Sequence, residues 1–289
     1  MAASGLRRSI DVSGYDLRLA MPLAGFFAAF FLAPLAVLVV LSFQTDTTGA
    51  HWGVTQYVQF LGDAFSLGVL ASTLWLGVKV TAVCLVFGWP VAWLHARSGP
   101  TVKSLIMLIV LLPLLTSVVV RTFAWIVILG RQGIVNATLM SLGLVEAPLK
   151  LLYTDLGVVT ALAQVQMPLM VLPLATALSR IDPNLVAASE VLGAGEWRTF
   201  AKVILPLSLP GIVAGSMLTY AASITAFITQ SLIGGGQMLF MPMYLYQQAS
   251  TLQNWPFAAA ISIIFLIAVL AVVTVFNTLG RLSRGFAQG

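Results

Sequence analysis

The chain has 289 residues, of which 60% are hydrophobic and only 8% charged, and its mean hydropathy is +1.01. That charge density cannot clothe a water-soluble protein of this length, so the expected solvent is a lipid bilayer. A net charge of +5 is compatible with nucleic acid, but the basic residues form neither a patch nor a run, and nucleic acid is excluded as a partner. A single cysteine, Cys84, excludes an internal disulfide, and His51 and His95 lie too far apart to predict a metal site.

In chain order, apolar runs predict six membrane spans, at about 20–43, 67–94, 105–129, 156–178, 211–233 and 257–279. The first is longer than a signal-peptide core and carries no small-residue cleavage site, so it is kept as span one. Val203 to Gly280 contains no charged residue; Gly234-Gly235-Gly236-Gln237, Pro242, Gln247, Gln248, Gln253, Asn254 and Pro256 divide it into two spans joined by a connection outside the core. The expected fold is therefore all-α and polytopic. A tail over 1–19 precedes a membrane domain over 20–280, which carries a cytoplasmic segment at 179–210, and a tail over 281–289 follows.

Lys and Arg near span ends fix the orientation. With the N-terminus inside, Arg7, Arg8, Arg18, Arg97, Lys103, Arg180, Arg198, Lys202, Arg281 and Arg284 are cytoplasmic, against Arg131 and Lys150 outside. Both termini are then cytoplasmic.

Three groups of polar residues fall within the spans. Lys79, about 12 residues into span two, is placed near the bilayer midplane, either on a pathway or subunit interface or as a lysine that snorkels or bonds a helix carbonyl. Arg121 is placed toward the outer face, as an interface anchor or an inward-facing group. Span five carries Ser216, Thr219, Tyr220, Ser223, Thr225, Thr229, Gln230 and Ser231, which either line a path or let helices pack closely. Every Asp and Glu lies outside the six spans, so no fixed negative charge is expected along the path.

The segment from Ser179 to Gly211 reads as two short helices. Asp182-Pro183 is an N-cap and first-turn proline, and Gly193 supplies a sharp turn. A second helix runs from about Glu196 to Ile204, and Pro206 and Pro210 end it. Leu185, Ala188, Ser189 and Leu192 share one face and predict a docking knob.

Val186-Ala187-Ala188-Ser189-Glu190-Val191-Leu192-Gly193-Ala194, then Trp197, Thr199-Phe200, Ile204-Leu205-Pro206 and Leu209-Pro210-Gly211, resemble the E-A-A loop of ABC importer permeases. Val186 stands where that family usually has Glu, and Glu190 lies one helical turn later. Gly88–Trp93, Val120–Trp125, Gly133–Asn136, Met167–Pro173 and Asn254–Phe257 resemble blocks of the spermidine/putrescine-type subfamily.

The resemblance implies a type I importer permease fold. It also implies that Val186, Ala187, Ala188, Glu190, Gly193, Ala194 and Trp197 form a coupling helix seated in a cleft of ATP-binding cassette subunits. ATP and Mg²⁺ then belong to those subunits, and none of this chain's residues is catalytic. A second permease subunit, a periplasmic solute-binding protein and membrane lipid are the other implied partners, and the bacterial inner membrane the implied location. Lys79, Arg121, Tyr220, Thr225, Gln230 and Ser231 become candidates for the substrate path. Polyamine permeases often carry an acidic residue in the fifth span, and this chain has none, which leaves an amino-acid-like or anionic solute as an alternative to a polyamine.

Other classes fare worse. No Gly-Lys pair occurs, hence no phosphate-binding loop of the Walker type. An ion-coupled secondary transporter is the rival, but it predicts midplane carboxylates and internal repeats, and leaves the 182–206 segment unexplained.

Overall fold

A computed structural model describes residues 13–46 and 51–285. Arg7, Arg8 and the predicted tail up to residue 12 lie outside the described residues. So do residues 286–289 of the C-terminal tail.

The elements are α1 (Ser13–Ser42), α2 (Thr55–Gly62), α3 (Ala64–Arg97), α4 (Pro100–Leu111), α5 (Val118–Leu129), α6 (Ile134–Ser141) and α7 (Asp155–Ser179). They continue as α8 (Pro183–Val191), α9 (Glu196–Thr199), α10 (Leu205–Ile224), α11 (Phe227–Gly234), α12 (Met241–Tyr246) and α13 (Trp255–Gly285). A 3₁₀ turn (Leu112–Leu115) and two π segments (Phe200–Ile204, Gln247–Thr251) complete them. Among the described residues, the only β-pairing is an isolated bridge between Gln44 and Trp52.

Among the described residues, six helical stretches are long and apolar enough to cross a membrane: Met21–Ser42, Ala64–Arg97, Val118–Ser141, Asp155–Ser179, Glu196–Ile224 and Trp255–Thr278. The most buried is α7, which α3 and α10 enclose. Small residues permit the close approach. A Cβ on Gly77 of α3 would lie 2.5 Å from Ile224 and 2.7 Å from the Tyr220 ring. One on Gly215 of α10 would lie 3.0 Å from the Met170 carbonyl of α7. On the other side α1 packs along α13, and its phenylalanines, among them Phe30 and Phe31, face outward as lipid-contacting residues do.

Three predicted boundaries are corrected. Span three is not one helix over 105–129. It is α4 and α5 joined by the 3₁₀ turn around Pro113, with Thr116 extended at φ −99° and ψ 146°. Proline at 113 removes a donor, and the ladder restarts at Val118.

Pro206 and Pro210 do not end the second cytoplasmic helix. Helix runs on from α9 through the π segment into α10. The Leu205 amide bonds back to the Phe200 carbonyl, and this widened turn directly precedes Pro206, where a regular α-ladder would meet the missing donor and the ring. Span five then breaks where no proline or glycine stands, at Thr225 and Ala226.

The connection after span five is not outside the core either. Met241 and Tyr244 are buried in a cluster with Phe60, Val69, Phe257 and Ile261, and Phe240 in the cluster of Leu76 and Val80. The Met241 amide donates to Thr73 Oγ1 at 2.9 Å, and the Tyr244 and Ser66 hydroxyls meet at 2.9 Å.

Candidate functional site

At one end of the bundle, α8 and α9 form a folded knob. The Asp182 carboxylate accepts the Asn184 amide at 2.9 Å, capping α8 behind Pro183. Gly193 has φ +77°, and the amides of Gly193 and Ala194 bond back to the carbonyls of Glu190 and Ser189, the Schellman pattern that closes a helix. An L-residue is strained at that φ, which explains the glycine.

Ser189 and Thr199 hydroxyls meet at 2.7 Å and clasp the two helices. Ser189 therefore faces inward, a correction to the expected docking face. Val186 also faces in, packing on the cluster around Leu174 and Leu178, and with Glu190 and Arg97 it lines a cavity of about 570 Å³. Ala187, Ala188 and Glu190 are exposed, Ala194 half-buried. Outward stand Val191, 88% exposed, Leu192, 86%, and Trp197, 79%. Large apolar side chains so exposed on a polar-rimmed knob mark a contact surface.

The knob is tied to the spans by aromatic rings. Trp197 stacks on Phe200 at 5.4 Å, and Phe200 meets Trp89 of α3 edge-on at 5.5 Å. The sequence reading missed this ladder, although Trp89 and Phe200 both stand in the blocks it singled out.

Deeper in the bundle, both broken spans are closed by a side chain reaching back. Arg121 Nη1, in the first turn of α5, donates to the Pro113 carbonyl, and to Thr116 Oγ1 at 3.2 Å. Gln230 Nε2, in α11, donates to the carbonyls of Ser223 at 2.7 Å and Ile224 at 3.3 Å. These carbonyls lost their regular helical donors at the breaks, and hydrocarbon supplies none. Pro113 also accepts the Thr116 hydroxyl at 3.0 Å and Ser223 the Ala226 amide at 3.4 Å, which leaves Ile224 the most dependent on its side-chain donor. Beyond the breaks α5 and α11 pack side by side, with Thr122 and Thr229 hydroxyls 3.3 Å apart.

The substrate-path candidates are thus dispersed. Gln230 and Tyr220 are buried, Ser231 is half-buried and bonds the Phe227 carbonyl, and Thr225 is exposed at the break. Gln230 Oε1, Tyr220 Oη and Thr219 Oγ1 are buried without a hydrogen-bond partner. Tyr220 lies between α3 and α13, beside Gly77 and Phe276.

Lys79 neither snorkels nor bonds a carbonyl: it pairs with Asp155, the first residue of α7. The expectation of no fixed negative charge along the spans is therefore corrected. The pair also moves Lys79 from the expected midplane to the level of the end of α7 remote from the knob. Asp155 stands one residue before the apolar run of span four, and its partner is 76 residues away, beyond any local pattern.

Among the described residues, six apolar stretches long enough to cross a membrane, two helix breaks re-closed by side chains and a knob that exposes Val191, Leu192 and Trp197 define a polytopic membrane protein with a contact surface at one end. Residues 84–283 match the family described as binding-protein-dependent transport system inner membrane component, and the chain belongs to that family. It is 29% identical over 257 residues to the spermidine/putrescine transport system permease protein PotB of Haemophilus influenzae, covering 88% of this chain and 90% of that one. It is 31% identical over 236 residues to the inner membrane ABC transporter permease protein YdcU of Escherichia coli, covering 77% of this chain and 75% of that one. A solved bacterial ABC transporter that imports the acidic polysaccharide alginate has the same fold, with a TM-score of 0.72 at 19% identity over 94% of this chain and 97% of that one. The chain is a permease subunit of a binding-protein-dependent ABC importer and a multi-pass membrane protein.

Proposed function

We propose that this permease carries a small amine-bearing solute of the polyamine kind, and that partner ATP-binding cassette subunits drive it through the α8–α9 knob. The observation that carries the coupling half is the knob itself, with Val191, Leu192 and Trp197 exposed at the end of the bundle. ATP and Mg²⁺ bind on the cassette subunits. A second permease chain of different sequence completes the pathway, and a periplasmic protein delivers the solute. Both termini face the cytoplasm, in keeping with ten basic residues against two.

Closure of the cassettes moves the knob. Because α9 continues through the π segment into α10, the motion passes directly along span five, and the Trp197–Phe200–Trp89 ladder passes it to span two. Parting of α10 from α3 uncovers Tyr220, whose ring packs on Gly77.

The amine reading rests on donor and acceptor supply. Both Gln230 amide donations go to span carbonyls, which leaves Oε1 as an acceptor. An ammonium group offers donors and accepts nothing, the complement such an oxygen requires. Lys79, the cation that would favour an anionic solute, is neutralised by Asp155. The likeness to the spermidine/putrescine permease PotB over most of the chain points the same way.

Gly193→Leu is expected to leave the protein in the membrane at normal amount while abolishing ATP-dependent spermidine uptake by cells or proteoliposomes. Wild-type uptake by that variant contradicts the coupling role. Uptake of anionic solutes alone by the wild-type transporter contradicts the solute class.

A further inference from the structure

A groove of about 1170 Å³ lies between α3, α4, α5 and α7. Along α3 it passes from Lys79 by Val83, Phe87 and Val91 to Leu94. That is roughly 22 Å of helix at 1.5 Å per residue. Its walls are aliphatic and aromatic except at one end, where the Lys79–Asp155 pair stands with side chains 28% and 46% exposed. Polar groups farther in are already engaged: Thr160 donates to the Leu156 carbonyl, and Gln164 Oε1 accepts the Trp125 indole at 3.2 Å.

Water has too few partners in such a groove to occupy it, and a hydrated solute would lose its hydrogen bonds along the wall. Hydrocarbon fits. The charges select among hydrocarbon occupants. Asp155 opens a 25-residue span, so the pair sits at the depth where head groups begin. An apolar helix laid in the groove would bury the ion pair while offering no partner to its remaining ammonium donors and carboxylate oxygen. A zwitterionic phospholipid presents a phosphate and an ammonium at that depth and acyl chains below it. We infer that this groove is a binding site for one zwitterionic phospholipid, its phosphate on Lys79, its ammonium on Asp155 and its acyl chains along α3 and α7. The inference is independent of which solute is transported.

The test uses the assembled transporter in nanodiscs containing phosphatidylethanolamine with a photoactivatable acyl chain, compared with the matching phosphatidylglycerol probe. Light is expected to place label on peptides containing Val83 to Val91 and Val159 to Met167, more from phosphatidylethanolamine than from phosphatidylglycerol. The double variant K79Q/D155N, which removes both charges and leaves neither unpaired, is expected to lower that labelling about five-fold and abolish the head-group preference. V83W, which fills the groove and leaves the pair intact, is expected to block labelling even if the double variant fails to assemble. Labelling that is equal for both lipids, or unchanged in V83W, overturns the inference. So does an unlabelled groove that cross-links instead to another subunit of the assembled transporter.

Discussion

The two broken spans solve one problem with different chemistry. In span three a proline starts the break, and Arg121 reaches back from the next helix to the Pro113 carbonyl. In span five no proline or glycine starts it, and Gln230 reaches back to two carbonyls from a position with 1% exposure. The charged closure is partly exposed; the neutral one is sealed in and keeps an oxygen to spare. Breaks closed by buried neutral amides can sit beside a solute path without adding fixed charge to it, and breaks closed by arginine hold shape at a charge cost. Span five is accordingly the span proposed to meet solute, and span three the one proposed to support it.

Removing the span-five closure is expected to have the larger effect. Gln230→Leu leaves the buried Ile224 carbonyl unpaired, at about 1–3 kcal/mol, and takes one donor from the Ser223 carbonyl, which keeps the backbone amides of Thr225 and Ala226. Its thermal unfolding should shift clearly downward, and uptake should fall about ten-fold or more. Unchanged unfolding and uptake would show that the break is held by packing alone.

Arg121→Met should cost less, about 1 kcal/mol, because the Thr116 hydroxyl still donates to the Pro113 carbonyl at 3.0 Å. Arg121→Lys should recover part of that loss, because an ammonium can still donate but not in a fork. Thermal unfolding of the purified complex ranks the three proteins. Equal loss in Met and Lys variants would mean that the guanidinium does more than close the break.

A cap outside the membrane gives the smallest effect and a control. Asp63 begins α3, where the Ser66 hydroxyl and amide and the Phe65 amide hold its carboxyl below the usual carboxylate range. A depressed carboxylate stabilises the fold above its unfolded pKa, and the contribution fades as pH falls through the depressed value. Asp63→Ala should thus lower the melting temperature at neutral pH, with the difference from wild type shrinking below about pH 4. A difference that grows on acidification would contradict the capping account.

These features differ in how far they could be read from the chain. Six crossings were legible because each apolar run is long and carries at most one charged residue, and the turn at Gly193 because glycine after a capped amphipathic stretch has few other uses. Pro113 was in view, but the leucines around it kept span three looking continuous. Pro206 and Pro210 were over-read as terminators, since nothing local announces that a π turn will absorb the first of them. Ser-Ile-Thr-Ala-Phe at 223–227 carries no breaking residue, and its break depends on a glutamine several residues later. The Lys79–Asp155 pair was invisible for the same reason on a longer scale: it is a contact between spans, set by how α3 packs on α7.

The central claim is that Leu192 and its apolar neighbours on the knob bind an ATPase. It is tested most directly by purifying wild-type and Leu192→Glu transporter in mild detergent and measuring the subunit stoichiometry by mass spectrometry. The account predicts that the wild-type chain carries a second membrane subunit and a Walker-motif ATPase, and that the variant keeps the first and loses the second. An ATPase held undiminished by the variant, or a wild-type chain recovered without one, would contradict it.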